Sequence, residues 1–401
     1  MRSGIQMNGS IRRRSKNSWE LTIDQGRDAD GKRLRKFVNV KGTKTQAQQK
    51  LRKLLTSVDN GMSLDTSKVT LGEFLARWME DYVAIKTAPS TANGYRMIVM
   101  CHLIPALGNV PLAKLQPADV QAYYKKALAK GRRDGKGGLS ARTVHHHHRV
   151  LSEALKHAVK WQLIHRNVAD AVDPPKPSRY EAVILNPPEV DQLLVAAQAH
   201  GAPYYELIYT AIYTGMRRGE LLGLKWHDVD LDMATLSVVR TLQRVRGEFI
   251  LKEPKTSRSR RDIALTPDLA ILLRGYKRHQ EEQRTLLGLP FDDMDLVFAH
   301  SDGSPLDPGT VSHTSKKIVK KAGLESRLHD NRHAFATLMM SFGVNPKVVG
   351  EMLGHSTIAT TMDIYSHVPL GLQRDAARTL QEGLKKYQDR EKSTPSELRI
   401  K

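Results

Sequence analysis

Cysteine is almost absent: Cys101 stands alone among 401 residues. No disulfide can close within the chain, which suits a reducing compartment. No apolar run reaches the roughly 18 residues that a membrane-spanning helix needs. The opening Met1-Arg2-Ser3-Gly4-Ile5-Gln6 also lacks the apolar stretch of a secretory leader. The expectation is a cytoplasmic protein with no membrane partner. Acidic residues are the other shortage, with 42 Asp and Glu against 63 Lys and Arg, a net charge of +21 and a pI near 9.9. That surplus favours a phosphate-rich partner, because each neutralised phosphate releases condensed counterions.

What is present is enough for roughly two to three domains, and 40% hydrophobic residues can fill their cores. Trp19, Leu21 and Ile23 alternate with polar residues at strand period, and Phe37, Val38 and Val40 form a return strand. Asp28–Lys32 between them has turn composition. Arg12, Arg13, Arg14, Lys16, Lys32, Arg33, Arg35 and Lys36 surround this pair. Thr45–Val58 carries a helical pattern, and Asn60-Gly61 stops it. A second unit opens near Val69, where Leu71, Phe74, Leu75, Trp78, Met79 and Tyr82 share one helical face. Ser90–Cys101, Pro117–Ala129 and Ala141–Leu163 are its further helices, the last with a Val144, Leu151, Leu155, Ala158 stripe. Four consecutive histidines, His145 to His148, interrupt that helix. Only His145 and His148 share a face there, too few ligands for a closed metal site. The expectation is a solvated or DNA-facing surface and no metal. Asp173-Pro174-Pro175-Lys176-Pro177-Ser178 is a semi-rigid linker. Asn186-Pro187-Pro188-Glu189 then starts a helix: Asn caps, Pro fits the first turn, and Glu completes the cap. Residues 234–265 alternate like strands around a basic turn, Lys255–Arg261.

The chemistry concentrates in this last unit. Arg217, in Thr214-Gly215-Met216-Arg217-Arg218-Gly219-Glu220, opens a helix, where free amides and the dipole favour an anion. Glu220, one turn on, either orients Arg217 or serves as an ordinary helix N-terminal acid. His329 and Arg332 stand at i and i+3, on one face. His355 follows Gly354 at a helix stop. Lys255 is a movable cation able to protonate a leaving alkoxide. Two arginine forks can clamp a phosphate and stabilise its pentavalent state. A phenol such as Tyr365 attacks phosphorus only if a base or positive field offsets its pKa of roughly 10. Spacing alone leaves Tyr180, Tyr209 and Tyr213 as competitors, and any one of these arginines alone is as readily a DNA-backbone contact.

In order, Thr-Gly-Met-Arg217-Arg-Gly-Glu220, Lys255-Thr-Ser-Arg258-Ser-Arg-Arg261-Asp-Ile-Ala-Leu, His329-Asp-Asn-Arg332-His-Ala-Phe-Ala-Thr337, Leu-Gly-His355-Ser and Tyr365-Ser-His resemble the tyrosine recombinase (phage integrase) family. The resemblance spans residues 185–370. On weaker motifs, 1–60 resembles the arm-type DNA-binding domain and 69–172 the helical, SAM-like core-binding domain. It implies a mixed α/β, mainly α chain: a three-stranded N-terminal sheet with a helix, a helical bundle, a linker at 173–185, a mostly helical catalytic domain at 186–385 with a small antiparallel sheet, and a tail at 386–401. It further implies that Tyr365 attacks the scissile phosphate, that Arg217, Arg332 and His355 hold it, that His329 assists with the tyrosine proton, and that Lys255 protonates the leaving 5′-oxygen. Arg12, Arg13, Arg14, Lys32, Arg33, Arg258 and Arg261 are the expected DNA contacts. No cofactor is implied. The partners implied are double-stranded core and arm-type sites, three further copies of the chain in a Holliday-junction tetramer, and accessory DNA-bending or excisionase proteins, in the bacterial nucleoid. The apolar residues after Val368 (Leu370, Leu372, Ala376, Leu380, Leu384) fit a helix that packs on a neighbouring protomer or on its own. The alternatives are a DNA-binding or architectural protein without cleavage, and a chromosome-dimer resolvase. One departure stands out: Asn331 occupies a place that is usually apolar in the family.

Overall fold

The computed structural model describes residues 9–27, 33–59, 69–178, 182–253, 260–288, 294–355, 357–364, 377–378 and 380–385. The Asp28–Lys32 turn, Lys255, Arg258, Tyr365 and the Leu370–Ala376 stretch therefore lie outside the described residues. The chain divides into two compact units, 1–179 and 180–401.

The first unit begins with an antiparallel meander, β1 (Gly9–Ser15), β2 (Ser18–Arg27) and β3 (Arg33–Lys41), in the order β1-β2-β3. The register sets Ile11 opposite Leu21 and Leu21 opposite Val38. Because side chains alternate along a strand, one face carries Ile11, Trp19, Leu21, Ile23, Val38 and Val40. Helix α1 (Lys44–Asp59) covers that face with Ala47, Leu51, Leu54 and Leu55. Phe37 falls on the other face and stays 60% exposed.

A helical bundle with its own core follows. Helix α2 (Leu71–Trp78) starts in a capping box: the Glu73 amide donates to the Thr70 hydroxyl at 3.2 Å, and the Thr70 amide donates to the Glu73 carboxylate at 2.8 Å. It runs on through a π-turn into α3 (Ala84–Lys86). Helix α4 (Pro89–Ile98) passes through a second π-turn into α5 (Ile104–Leu107), so this element is longer than its sequence pattern predicts. Helices α6 (Pro117–Lys130) and α7 (Ala141–Lys160) complete the bundle.

The histidine run corrects the expectation of a solvated or DNA-facing surface. His146 is exposed, but His147 is buried, with 1% of its surface accessible. Its Nδ1 lies 2.7 Å from the Tyr123 hydroxyl, and Nδ1 of His148 lies 2.7 Å from that of Tyr124. The His102 ring packs on His147 with centroids 4.6 Å apart. The physical reason is helical period: the stripe from Val144 to Leu151 has to pass through 147 and 148, and two tyrosines of α6 satisfy the imidazoles there.

In the second unit, α8 (Pro187–Gln198) has the capping box read from the sequence: the Glu189 amide donates to the Asn186 side chain at 3.0 Å. Helix α9 (Tyr204–Thr214) ends at Gly215, which takes the left-handed conformation. A Cβ there would come within 2.6 Å of Leu353 and 2.8 Å of Phe335, so glycine is needed for both conformation and space. After α10 (Arg218–Leu222) come β4 (Val229–Asp230) and β5 (Thr235–Val238), then the hairpin of β6 (Thr241–Val245) and β7 (Glu248–Lys252), then β8 (Arg261–Ala264). The order β4-β5-β8 makes one antiparallel sheet and β6-β7 a separate one. Most of the basic turn expected at Lys255–Arg261 lies outside the described residues, and Arg261 is the first residue of β8. Helices α11 (Pro267–Leu287), α12 (Pro308–Lys321), α13 (Asp330–Ser341), α14 (Pro346–Leu353) and α15 (Ile358–Ile364) finish the unit. The fold is mostly helical with small antiparallel sheets.

Candidate phosphate-binding site

The site is assembled where helices begin and end. Arg217 is the N-cap residue of α10; its backbone is extended, and its amide donates to Glu220 at 2.9 Å. Its guanidinium donates to the other Glu220 oxygen at 2.6 Å. The carboxylate side chain is 5% exposed and the arginine 39%, so Glu220 is an internal anchor and Arg217 the presented group.

Arg261 departs from the expectation of a DNA contact. It is buried; its Nη2 donates to Glu220 at 2.8 Å and its Nε donates to the Met352 carbonyl. A guanidinium so engaged ties the start of β8 to Glu220 and to the end of α14. Burial raises the Glu220 pKa, but the hydrogen bonds and charges of Arg261 and Arg217 outweigh it and leave the carboxyl below its usual range.

Arg332 is also buried. It donates to the Gly215 carbonyl at 2.9 Å and to the Leu353 carbonyl at 2.6 Å, tying the C-termini of α9 and α14 to α13. Unpaired carbonyls and the negative end of each helix dipole make both positions natural for a cation. Burial first, then Arg217, pulls the pKa of Arg332 down to about 9, which still leaves it charged at neutral pH. Two arginines, Arg217 and Arg261, and one carboxylate, Glu220, act on it. This spot is short of negative charge.

Three histidines border it. His329 caps α13, with its ring edge-on to His333 at 5.6 Å. Partial burial, then His333 and Arg332, hold the His329 pKa below its ordinary value. His355 follows Gly354, the left-handed stop of α14, and its amide donates to the Gly350 carbonyl at 3.0 Å. Burial, then Arg332 and Arg217, push its pKa down to about 4, so the ring is neutral. Its Nδ1 lies 2.8 Å from the Thr361 hydroxyl oxygen. His355 also lines a cleft of about 610 Å³ with Arg260, Arg261 and Lys347.

The structure therefore gathers Arg217, Glu220, His329, Arg332 and His355. It adds His333 and Thr361, which sequence reasoning missed. His333 had a signal, since it adjoins Arg332 on the same turn; Thr361 had none apart from its place before Tyr365. Asn331 is buried, and its side-chain oxygen has no hydrogen-bond partner among the described residues. In the first unit Arg12 is exposed on the sheet, Arg13 stacks over Trp19 at 5.8 Å, Arg14 pairs with Glu20, and Arg33 pairs with Asp24 at 3.1 Å.

Clustered guanidiniums beside imidazoles, with the Glu220 carboxylate between the guanidiniums, make a place suited to an anion such as a phosphate ester. Residues 184–370 match the phage integrase family, and residues 70–128 match the N-terminal SAM-like domain of phage integrases. The chain belongs to the phage integrase family, whose members are tyrosine recombinases. It is 28% identical over 385 residues to a tyrosine recombinase XerC-like protein of Caldanaerobacter subterraneus, covering 91% of this chain and 96% of the relative. It is 26% identical over 297 residues to the ICEBs1 integrase of Bacillus subtilis, covering 74% and 78%. Its fold is similar to that of the Tn1549 transposon integrase solved with a circular intermediate DNA, with a TM-score of 0.63, 24% identity, and 79% and 99% of the two chains covered. A lambda integrase tetramer on a Holliday junction is similar with a TM-score of 0.54 at 21% identity, covering 86% and 95%.

Proposed function

We infer that this chain is a site-specific DNA recombinase that integrates and excises a mobile element through a 3′-phosphotyrosine intermediate. The observation that carries the reading is the shortage of negative charge around Arg332 and Arg217. A phosphodiester supplies the missing anion, and its pentavalent state supplies more.

The Tyr365 oxygen attacks the scissile phosphorus while His329, neutral and near the cluster, takes the phenol proton. Arg217, Arg332 and His355 hold the non-bridging oxygens. The bond to the 5′-oxygen breaks, and Lys255 gives that oxygen a proton. A 5′-hydroxyl from a partner strand then attacks the phosphotyrosine and restores a phosphodiester and a free phenol. One ester replaces another, so no ATP is consumed.

Residues 1–60 act as the arm-site reader through Arg12, Arg13, Arg14, Lys32 and Arg33. Residues 69–172 grip the core site, 173–185 link the two parts, 186–385 catalyse, and Arg258 contacts the backbone. Four copies exchange strands pairwise, helped by accessory bending and excisionase proteins. Leu380 and Leu384, both exposed, fit a tail that packs on a neighbouring copy. The acid shortage around Arg332 favours this reading over a DNA-binding protein without cleavage.

Paired attachment-site DNAs from the ends of the element test it. The full chain should yield recombinant junctions without ATP. A chain lacking residues 1–60 should still cleave core-site DNA but lose integration. Binding without any recombinant, even with host extract added, would overturn the reading in favour of an architectural protein.

A further inference from the structure

Thr361 belongs to α15, the helix that ends at Ile364, one residue before Tyr365. It is fully buried, at 0% exposure. A buried hydroxyl proton without an acceptor is costly. Other buried threonines of this chain meet that demand by donating one turn back: Thr210 to the Glu206 carbonyl at 2.7 Å, and Thr214 to that of Thr210 at 2.5 Å. Thr361 makes no such bond among the described residues; the partner within reach is Nδ1 of His355 at 2.8 Å. The neighbouring Thr357 and Thr360 hydroxyls pair with each other at 3.0 Å and leave Thr361 to the histidine. Gly350 makes room, since a Cβ there would stand 3.0 Å from the Thr361 oxygen.

A neutral imidazole has one acceptor nitrogen and one N–H. If Nδ1–H donated instead, the Thr361 proton would be buried without an acceptor. We propose that Thr361 is a positioning residue whose buried hydroxyl donates to Nδ1 of His355, fixing the ring as the Nε2–H tautomer so that this N–H donates to the scissile phosphate. The phosphate step rests on the recombinase reading; the tautomer does not. Because Thr361 sits on the helix that leads into Tyr365, His355 is held in this state only while that helix is docked on α14. The helix that precedes Tyr365 in the sequence thereby also sets the phosphate-holding histidine.

The test uses the full chain labelled with ¹⁵N at histidine, with long-range ¹H–¹⁵N spectra in which His355 is assigned by the signals lost in His355→Asn. Wild type should show Nε2 protonated and Nδ1 as a hydrogen-bonded acceptor. Thr361→Val should move the His355 signals toward mixed tautomers, and Thr361→Ser should restore them. Gly350→Ala, which crowds the hydroxyl, should act like Thr361→Val. A wild-type proton on Nδ1, or His355 signals unchanged in Thr361→Val, would overturn the assignment whether or not the chain recombines DNA. The rate of covalent protein–DNA adduct formation should fall about tenfold in Thr361→Val and recover in Thr361→Ser. A Thr361→Val rate equal to that of wild type would overturn the phosphate role.

Discussion

Two histidines of this molecule, His147 buried and His355 half-buried, share their local chemistry and differ in their surroundings. His147 in the helical bundle and His355 in the catalytic unit each face a hydroxyl at Nδ1, from Tyr123 at 2.7 Å and from Thr361 at 2.8 Å. Each has its pKa pushed down to about 4, by burial first. The next causes separate them. For His147 they are two other histidines, His102 and His146. For His355 they are Arg332 and Arg217. A histidine packed among other histidines is a core residue; one in a field of permanent cations waits for an anion. A depressed pKa alone does not mark a site, whereas the sign and permanence of the neighbouring charge do.

The largest effect should come from removing the field. Arg332→Ala should lower adduct formation on nicked DNA by about 10²–10³-fold or more, and it also unties the Gly215 and Leu353 carbonyls. His147→Leu should change thermal stability and leave the adduct rate per folded molecule near wild type. Comparable catalytic loss from both variants would break the comparison.

A smaller, diagnostic effect concerns the anion. Orthovanadate, bound as a phosphate analogue, should raise the His355 pKa, since an added negative charge favours the imidazolium, and should leave His147 unmoved in the same histidine ¹⁵N titration. In the free protein both histidines bind a proton less readily than in the unfolded chain. Their contribution to stability is therefore complete above the ordinary histidine value of about 6.5 and is lost as pH falls from there toward about 4. Vanadate should weaken that dependence only for the catalytic unit.

The smallest effect should be at Asn331. Replacing this buried side chain, whose oxygen has no partner among the described residues, Asn331→Leu should stabilise the second unit by about 1 kcal/mol, as read by chemical denaturation, without lowering the adduct rate. A loss of adduct formation would mean that the amide serves the chemistry.

Much of this was legible in the sequence where the cause is local. The capping box at Asn186, the helix stop at Gly354 and the stripe from Leu71 to Trp78 each depend on residues within two turns, and each is where its pattern places it. Arg261 was not legible. Its partners Glu220 and Met352 lie far away in the chain, so nothing nearby distinguishes a buried tie from one more basic residue in a basic turn. His147 was legible in principle, because the helical period of its neighbours passes through it, but the polarity of four histidines hid the stripe. Thr361 becomes visible only when α15 folds back on the His355 turn. The groups that bear the charge could be read from the sequence; those that orient them needed tertiary structure.

The most direct test of the central claim is to find the covalent bond. Nicked core-site DNA is incubated with the full chain and with Tyr365→Phe, run on denaturing gels, and any adduct is digested and mapped by mass spectrometry. The account predicts a protein–DNA adduct with wild type alone, carried on Tyr365 through a 3′-phosphate. An adduct that survives Tyr365→Phe, or that maps to Tyr180, Tyr209 or Tyr213, would contradict it.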